Sequence, residues 1–514
     1  MSNSIKDTLH ELIKYMSKSE KRYFKVFSSR HTIGDENNYI LLFDFIEKQE
    51  TYNENAIFSH FKGEAFLNKF SITKKRLYDN IINALDNFHS SNSLDAQIYK
   101  LMNSSEILYQ KSLYHQSLKQ LKSAEKLARK NNKFNLLLEI NLKLKKIYES
   151  QGNQSLEEIQ NIFKQDEDFH DKSLTYNQFW NLKSRLFHLL NSRGVSRSQE
   201  DLLAFKTIID ELLISANKSK LYFDSHYLYN HIYSAYYFAI NSFENCFKYL
   251  QDNIELIESS EEINDEYINR YLSVLTNAIY LAIRLDKKDY LQLYQTKLKN
   301  LAKNEKYKNN EDLQIKLFSS IYSLDLSLFA INGKFDEALK LIPLIEQGLI
   351  LYDEKITNSR QAFFNFKIAS IYFSKGENHA ALKYLNKIIN NSNIDAQEDI
   401  VSFSHLMSLL IHFEMKNESF IHYVLKNTQR YLKSRNRLYE FENNFLKCIN
   451  KLSKTSSEID REELWNEFYI EIINLKDEHL ERIAFDYFDF TTWARAKSER
   501  KEFASLIHAR NCSF

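Results

Sequence analysis

The stretch "LFAINGKFDEALKLI" (residues 328–342) joins an apolar helix end to a glycine-containing turn, an aromatic side chain and, three positions later, a small residue. That order describes the bend of a helical hairpin. Gly333 can take the left-handed conformation that ends a helix, Phe335 fills the angle between two helices, and Ala338 lets them approach. "IYFSKGENHAALKYLNKII" (371–389) repeats the order through Gly376, Ala381 and Leu382. "ILYQKSLYHQSLKQLKSAEKL" (107–127) repeats it through Ser112, Tyr114, Ser117, Leu118 and Ala124, and "YYFAINSFENCFKYL" (236–250) through Asn241, Phe243 and Cys246. The bends at 112, 241, 333 and 376 are spaced by near-multiples of about 43 to 46 residues, which predicts further bends where polar clusters fall, at Gly152, Gly194, Lys287 and Asn417. A unit of about 44 residues implies helices of roughly 16 to 20 residues.

These four stretches resemble the tetratricopeptide repeat, whose bend and second helix read roughly G-x-Y-x-x-A-L with another small residue seven places on. "MSKSEKRYFKVFSSRH" (16–31) also resembles the start of an uncharacterised group of bacterial tetratricopeptide proteins. The resemblance implies an all-α chain: a right-handed α-solenoid of tetratricopeptide-like hairpins over 93–484, an N-terminal helical module over 1–92 and a C-terminal capping helix over 485–514. In that cap, Trp493, Phe503, Leu506 and Ile507 are expected inward and Arg495, Lys497, Arg500 and Lys501 outward.

Composition agrees with helix. The 514 residues are 43% hydrophobic and 27% charged but hold one proline and seven glycines, too few for the turns of a β-rich chain. Stacked hairpins bury a continuous core, which accommodates the 14% aromatic content. Lys and Arg (69) nearly balance Asp and Glu (68), so no global field draws the chain to nucleic acid or an anionic membrane. Cys246, Cys448 and Cys512 form no ligand spacing and read as reduced thiols. With no uncharged apolar run of about 18 residues, the expected location is the cytoplasm and no membrane partner is expected.

Chemistry has no foothold in the motifs. The seven glycines never lie closer than fifteen residues, which excludes phosphate-cradling loops. HExxH, GxSxG and helical-ribonuclease patterns are missing. Asp166, Asp168, His170 and Asp171 lack the turn and closing glutamate of a calcium loop and read as a solvated helix end. No enzyme, cofactor or metal is expected.

In the N-terminal module, four helices are expected at roughly 4–28, 37–49, 53–61 and 64–88. Residues 1–95 hold 13 basic and 13 acidic side chains, but the signs segregate: 14–30 and 62–76 carry 11 basic and 2 acidic, 35–54 carries 6 acidic and 1 basic. Lys21, Arg22, Lys25, Lys74, Lys75 and Arg76 are the nucleic-acid candidates, with "NENAIFSHF" (53–61) and the helix from Ser71 as a helix-turn-helix-like pair. Nine residues between Phe61 and Ser71, and the neutral total, weigh against DNA.

The leading expectation is a non-catalytic scaffold that captures a protein or peptide on the concave face of the solenoid. The alternative is a DNA-binding transcriptional regulator whose solenoid senses a ligand. The repeat register places Tyr99, Met102, Glu106, Tyr109, His231, Phe238, Ser323, Ser327, Phe363, Phe366 and Phe373 on the inner face of the first helices. That face reads as aromatic and weakly charged, which favours an apolar peptide or helix.

Overall fold

A computed structural model of the chain describes residues 7–29, 38–89, 93–151, 156–216, 221–259, 267–308, 310–352, 355–394 and 399–512. Among them every regular element is helical and no strand occurs. Each helix packs mainly on its neighbours in chain order, the pattern of a helical repeat. Contacts divide the chain into two compact units, Met1–Ser173 and Leu174–Phe514.

The first unit holds two separate cores. One is built by α1 (Thr8–Tyr15), α2 (Lys18–Ser29), α3 (Asn38–Lys48), α4 (Glu54–His60) and α5 (Phe70–His89) around Phe24, Phe43, Ile57, Leu77 and Ile81. The single helix expected over 4–28 is two, because Ser17 starts a new one: Glu20 N–H donates to Ser17 Oγ (3.3 Å) and Ser17 N–H to the Glu20 carboxylate (2.7 Å). This reciprocal box in "SKSE" satisfies donors that a helix start leaves open, so breaking at Met16 costs little. Between α4 and α5 lies a 3-10 turn, Ala65–Lys69, so the pair is not joined by a tight turn. The second core gathers α6 (Leu94–Gln110), α7 (Tyr114–Lys130), α8 (Phe134–Gln151) and Phe169 of α9 (Leu156–Arg193).

The second unit continues in hairpins. After α10 (Gln199–Ala216) come α11 (Phe223–Ala239) with α12 (Phe243–Glu258), α13 (Ile268–Arg284) with α14 (Lys288–Lys303), α15 (Glu311–Ile331) with α16 (Phe335–Leu351), α17 (Asn358–Ser374) with α18 (Asn378–Ile389), and α19 (Asp399–Glu414) with α20 (Glu418–Ser434). Their bends place Asn241, Asp286, Gly333, Gly376 and Lys416 in the left-handed region, at intervals of about 40 to 47 residues. At each, two backbone bonds close the helix end, as in Lys334 N–H to Phe329 O (2.8 Å) with Gly333 N–H to Ala330 O (3.2 Å). Ser112 makes the same bend between α6 and α7.

Of the other expected bends, Gly152 lies outside the described residues, and Gly194 is a left-handed turn between α9 and α10 as expected. The helix that ends there departs from the repeat: α9 runs for 38 residues where two shorter helices are predicted. No Gly, Pro or Asn-rich turn interrupts 156–190, so the helix runs on; the acidic cluster at 166–171 lies inside it and not at a helix end.

The chain closes with α21 (Glu440–Lys454), α22 (Glu458–Asp477), α23 (Ala484–Tyr487), α24 (Phe490–Ser498) and α25 (Phe503–Cys512). The one capping helix expected over 485–514 is therefore broken, at Asp489, whose carboxylate caps Thr492 N–H (3.0 Å), and at the left-handed Arg500. Its inward residues are as expected: Trp493, Leu506 and Ile507 are buried and Phe503 packs on the core.

Candidate functional site

The first helices of successive hairpins, α11, α13, α15, α17 and α19, turn one face to a common cavity of about 710 Å³. Phe238, Ser323, Ser327, Phe363 and Phe366, all singled out from the repeat register, line it. The Ser323 and Ser327 hydroxyls donate back to the carbonyls of Ser320 (3.0 Å) and Ser323 (2.9 Å), so the floor they form is small and self-satisfied.

The opposite wall is the chain's own C-terminal segment, "AFDYFDF" (484–490), laid across that face. Tyr487 stacks on Phe403 (4.3 Å between ring centres) and meets Phe366 edge-on (5.9 Å). Phe488 meets Phe373 (5.6 Å), and Phe490 packs against Phe441 (4.9 Å). Asp486 pairs with Arg284 of α13. Burial raises the Tyr487 phenol far above its ordinary range, and it raises the Asp486 carboxyl against the pull of Arg284.

A buried ionic clasp fixes this segment. Arg197, just after α9, donates to Glu442 (2.5 and 3.1 Å) and Glu481 (2.5 Å) and stacks 3.9 Å above the Tyr439 ring. Glu481 also accepts from the N–H groups of Glu440 and Phe441 (both 3.2 Å) at the start of α21, where the helix dipole favours an anion. Asn241 Nδ2 donates to His479 O (3.1 Å), and Arg437 pairs with Asp399 (2.9 Å) while donating to Arg193 O (2.8 Å). For Arg197, burial acts against the charge, and the Glu442 and Glu481 carboxylates outweigh it, so the guanidinium stays protonated. A second hollow, about 740 Å³, adjoins this clasp, but its Arg197 and Glu481 are already engaged with each other.

The face expected to be weakly charged carries two cations. Arg360 and Lys367 of α17 line the cavity on either side of Phe363, 6.0 and 5.5 Å from its ring centre. Both are half-buried, with part of their surface open to the cavity. Burial pushes both below their ordinary pKa ranges; for Lys367 the charge of Asp486 partly opposes this. The signal was present in the sequence: 360, 363 and 367 share one helix face, and Phe363 was already placed on it.

The remaining candidates lie elsewhere. His231 is enclosed between Phe187 (5.3 Å) and Tyr227 (5.6 Å), and Phe373 is covered by Phe488. In the first unit, Met102 belongs to the core because α6 packs on α7 and α8 through that face, Glu106 pairs with Lys143 (2.6 Å), Tyr109 bonds Ser150 (2.9 Å), and Tyr99 is exposed.

Among the nucleic-acid candidates, Lys21 pairs with Glu47 (3.2 Å), Lys25 with Asp44 (2.7 Å) and Glu47 (3.5 Å), and Lys74 with Asp7 and Tyr52 Oη (3.0 Å). The basic segments thus dock on the acidic 44–54 region and on Asp7. Burial works against the Lys74 charge, but bonds to Asp7 and Tyr52 hold its pKa above the ordinary value. Arg22, Lys75 and Arg76 are exposed. No cluster of potential metal ligands occurs among the described residues, and none of their helices is long and apolar enough to cross a membrane.

No family model, curated protein or solved structure matches this chain.

Proposed function

We propose that the protein is a non-catalytic binding scaffold: a right-handed, tetratricopeptide-like solenoid that takes a peptide segment of a partner protein into the cavity lined by the first helices of its second unit. The observation that carries this reading is the convergence of five consecutive hairpins on one cavity of about 710 Å³, within the usual range of ligand sites. The chain's own segment 484–490 gives the same face a working example of peptide docking, through aromatic stacking and one ion pair. Nucleic-acid binding has less support, since Lys21, Lys25 and Lys74 are paired within their own module. Cys246 and Cys448 are buried free thiols, in keeping with a cytoplasmic protein.

Photo-crosslinking tests the reading. A peptide selected from a random library on the full chain is expected to label a photoreactive phenylalanine at position 363 and not one at the exposed Ile350. Equal labelling at both positions would contradict it.

A further inference from the structure

Three observations on α17 and its surroundings concern charge. Arg360 and Lys367 face the cavity seven residues apart, about 10 Å along the helix axis, with Phe363 between them. Among the described residues neither has a carboxylate within ion-pair distance. The carboxylates on the cavity wall are committed elsewhere, Asp399 to Arg437 (2.9 Å) and Asp486 to Arg284. Two cations taken partly out of water with no carboxylate in bonding distance are costly, and an anion that enters from outside lowers that cost beyond what the Phe363 ring and the more distant Asp486 charge supply. Arg adds a planar fork suited to gripping a carboxylate with two bonds.

The neighbouring part of the same face shows what such chemistry accepts. There the cation Arg284 and the aromatic Phe403 hold the acidic and aromatic side chains Asp486 and Tyr487. Around Phe363, by contrast, Arg360 and Lys367 have no carboxylate in bonding distance among the described residues, since the two that share the cavity wall, Asp399 and Asp486, are paired with Arg437 and Arg284.

We propose that the cavity selects a short acidic peptide in which carboxylates alternate with aromatic or large apolar side chains, the carboxylates meeting Arg360 and Lys367 and an apolar side chain meeting Phe363. This rests on the peptide-binding reading above and names the partner's chemistry. The cavity volume, about 710 Å³, lies in the range of sites that take a small ligand or a short peptide segment.

The test uses the full chain and two blocked, fluorescently tagged pentapeptides, Phe-Glu-Leu-Glu-Phe and its glutamine isostere Phe-Gln-Leu-Gln-Phe, followed by anisotropy. The acidic peptide is expected to bind saturably and at least about 10-fold more tightly than the isostere. Arg360→Gln with Lys367→Gln should remove that difference, Arg360→Lys should retain part of it, and added salt should weaken only the acidic peptide. Since neither cation has an ion pair to lose among the described residues and both contact the Phe363 ring, the double variant should melt close to the wild-type temperature or above it. Equal binding of both peptides overturns the acidic preference and leaves the peptide-binding reading standing. Binding of neither overturns the inference, while the crosslinking of a selected peptide still decides that reading. A double variant that melts well below wild type shows that the cations serve the fold, and overturns the inference as well.

Discussion

Gly194 shows how tightly the clasp is assembled. Its φ of +74° is left-handed, and a β-carbon there would stand 2.5 Å from Asp399 Oδ2, inside the Asp399–Arg437 pair. Gly376 has a similar φ of +78° with open space around it. Gly376→Ala should therefore cost only backbone strain, about 1 kcal/mol, whereas Gly194→Ala adds a collision with a buried ion pair and should cost about 2 to 4 kcal/mol. Thermal denaturation of the two variants side by side checks this, and equal losses would contradict the packing at 194. Two histidines set a pH dependence. Burial lowers the pKa of both His231 and His405 to about 4, with Lys183 and Arg270 adding to the effect at His231. Between about 6.5 and 4 the unfolded chain takes up protons that these rings refuse, so stability falls as pH falls through that window, by about 1.4 kcal/mol per unit of depression at full effect. His231→Phe with His405→Phe should flatten the acid side of a melting-temperature profile between pH 7 and 4; an unchanged slope would place the dependence elsewhere.

At the scale of elements, the N-terminal module explains why a basic run need not be a nucleic-acid site. Ile57, Leu77 and Ile81 fill its core, and Lys74, on the shoulder of that face, reaches Asp7 and stacks over Tyr52 (4.6 Å). Lys74→Ala should cost about 1 kcal/mol of module stability, while Lys75→Ala and Arg76→Ala, both exposed, should stay within about 0.5. Denaturant melts of the three variants separate these values, and an equal cost at all three would mean that the segment packs differently. The hairpins were legible from a handful of residues, because a left-handed bend followed by an aromatic and a small residue has one structural use. What stayed hidden depended on partners distant in the chain or on local caps. The Ser17 box splits a helix whose apolar pattern runs on unbroken, and Gly194 is legible as a bend, but its packing against Asp399 and Arg437, more than 200 residues away, is not. The cavity aromatics Phe238 and Phe363 followed from register alone, but nothing local announced that Phe366 and Phe373 would be covered by residues 487 and 488.

Within the second unit, the C-terminal segment does for the hairpin stack what a separate ligand would do: it covers apolar surface that the first helices leave open. Tyr487→Ala removes a ring stacked on Phe403 and set edge-on to Phe366, and the cost should reach about 3 to 5 kcal/mol, most of it local to 478–490. Limited proteolysis is expected to cut the variant between 478 and 490 at least about tenfold faster than wild type, with the hairpins intact; unchanged cleavage would mean that the segment is not held by these contacts. The central claim, that the cavity beside this segment is where a partner peptide enters, is tested most directly by filling it. Ser327 lies on the cavity floor, and Ser327→Trp puts an indole into the space with no charge change. For a peptide selected on the full wild-type chain, calorimetric titration should show affinity reduced by at least about tenfold in Ser327→Trp, with helical circular dichroism and melting temperature retained. Undiminished affinity in a folded, cavity-filled variant would contradict the account.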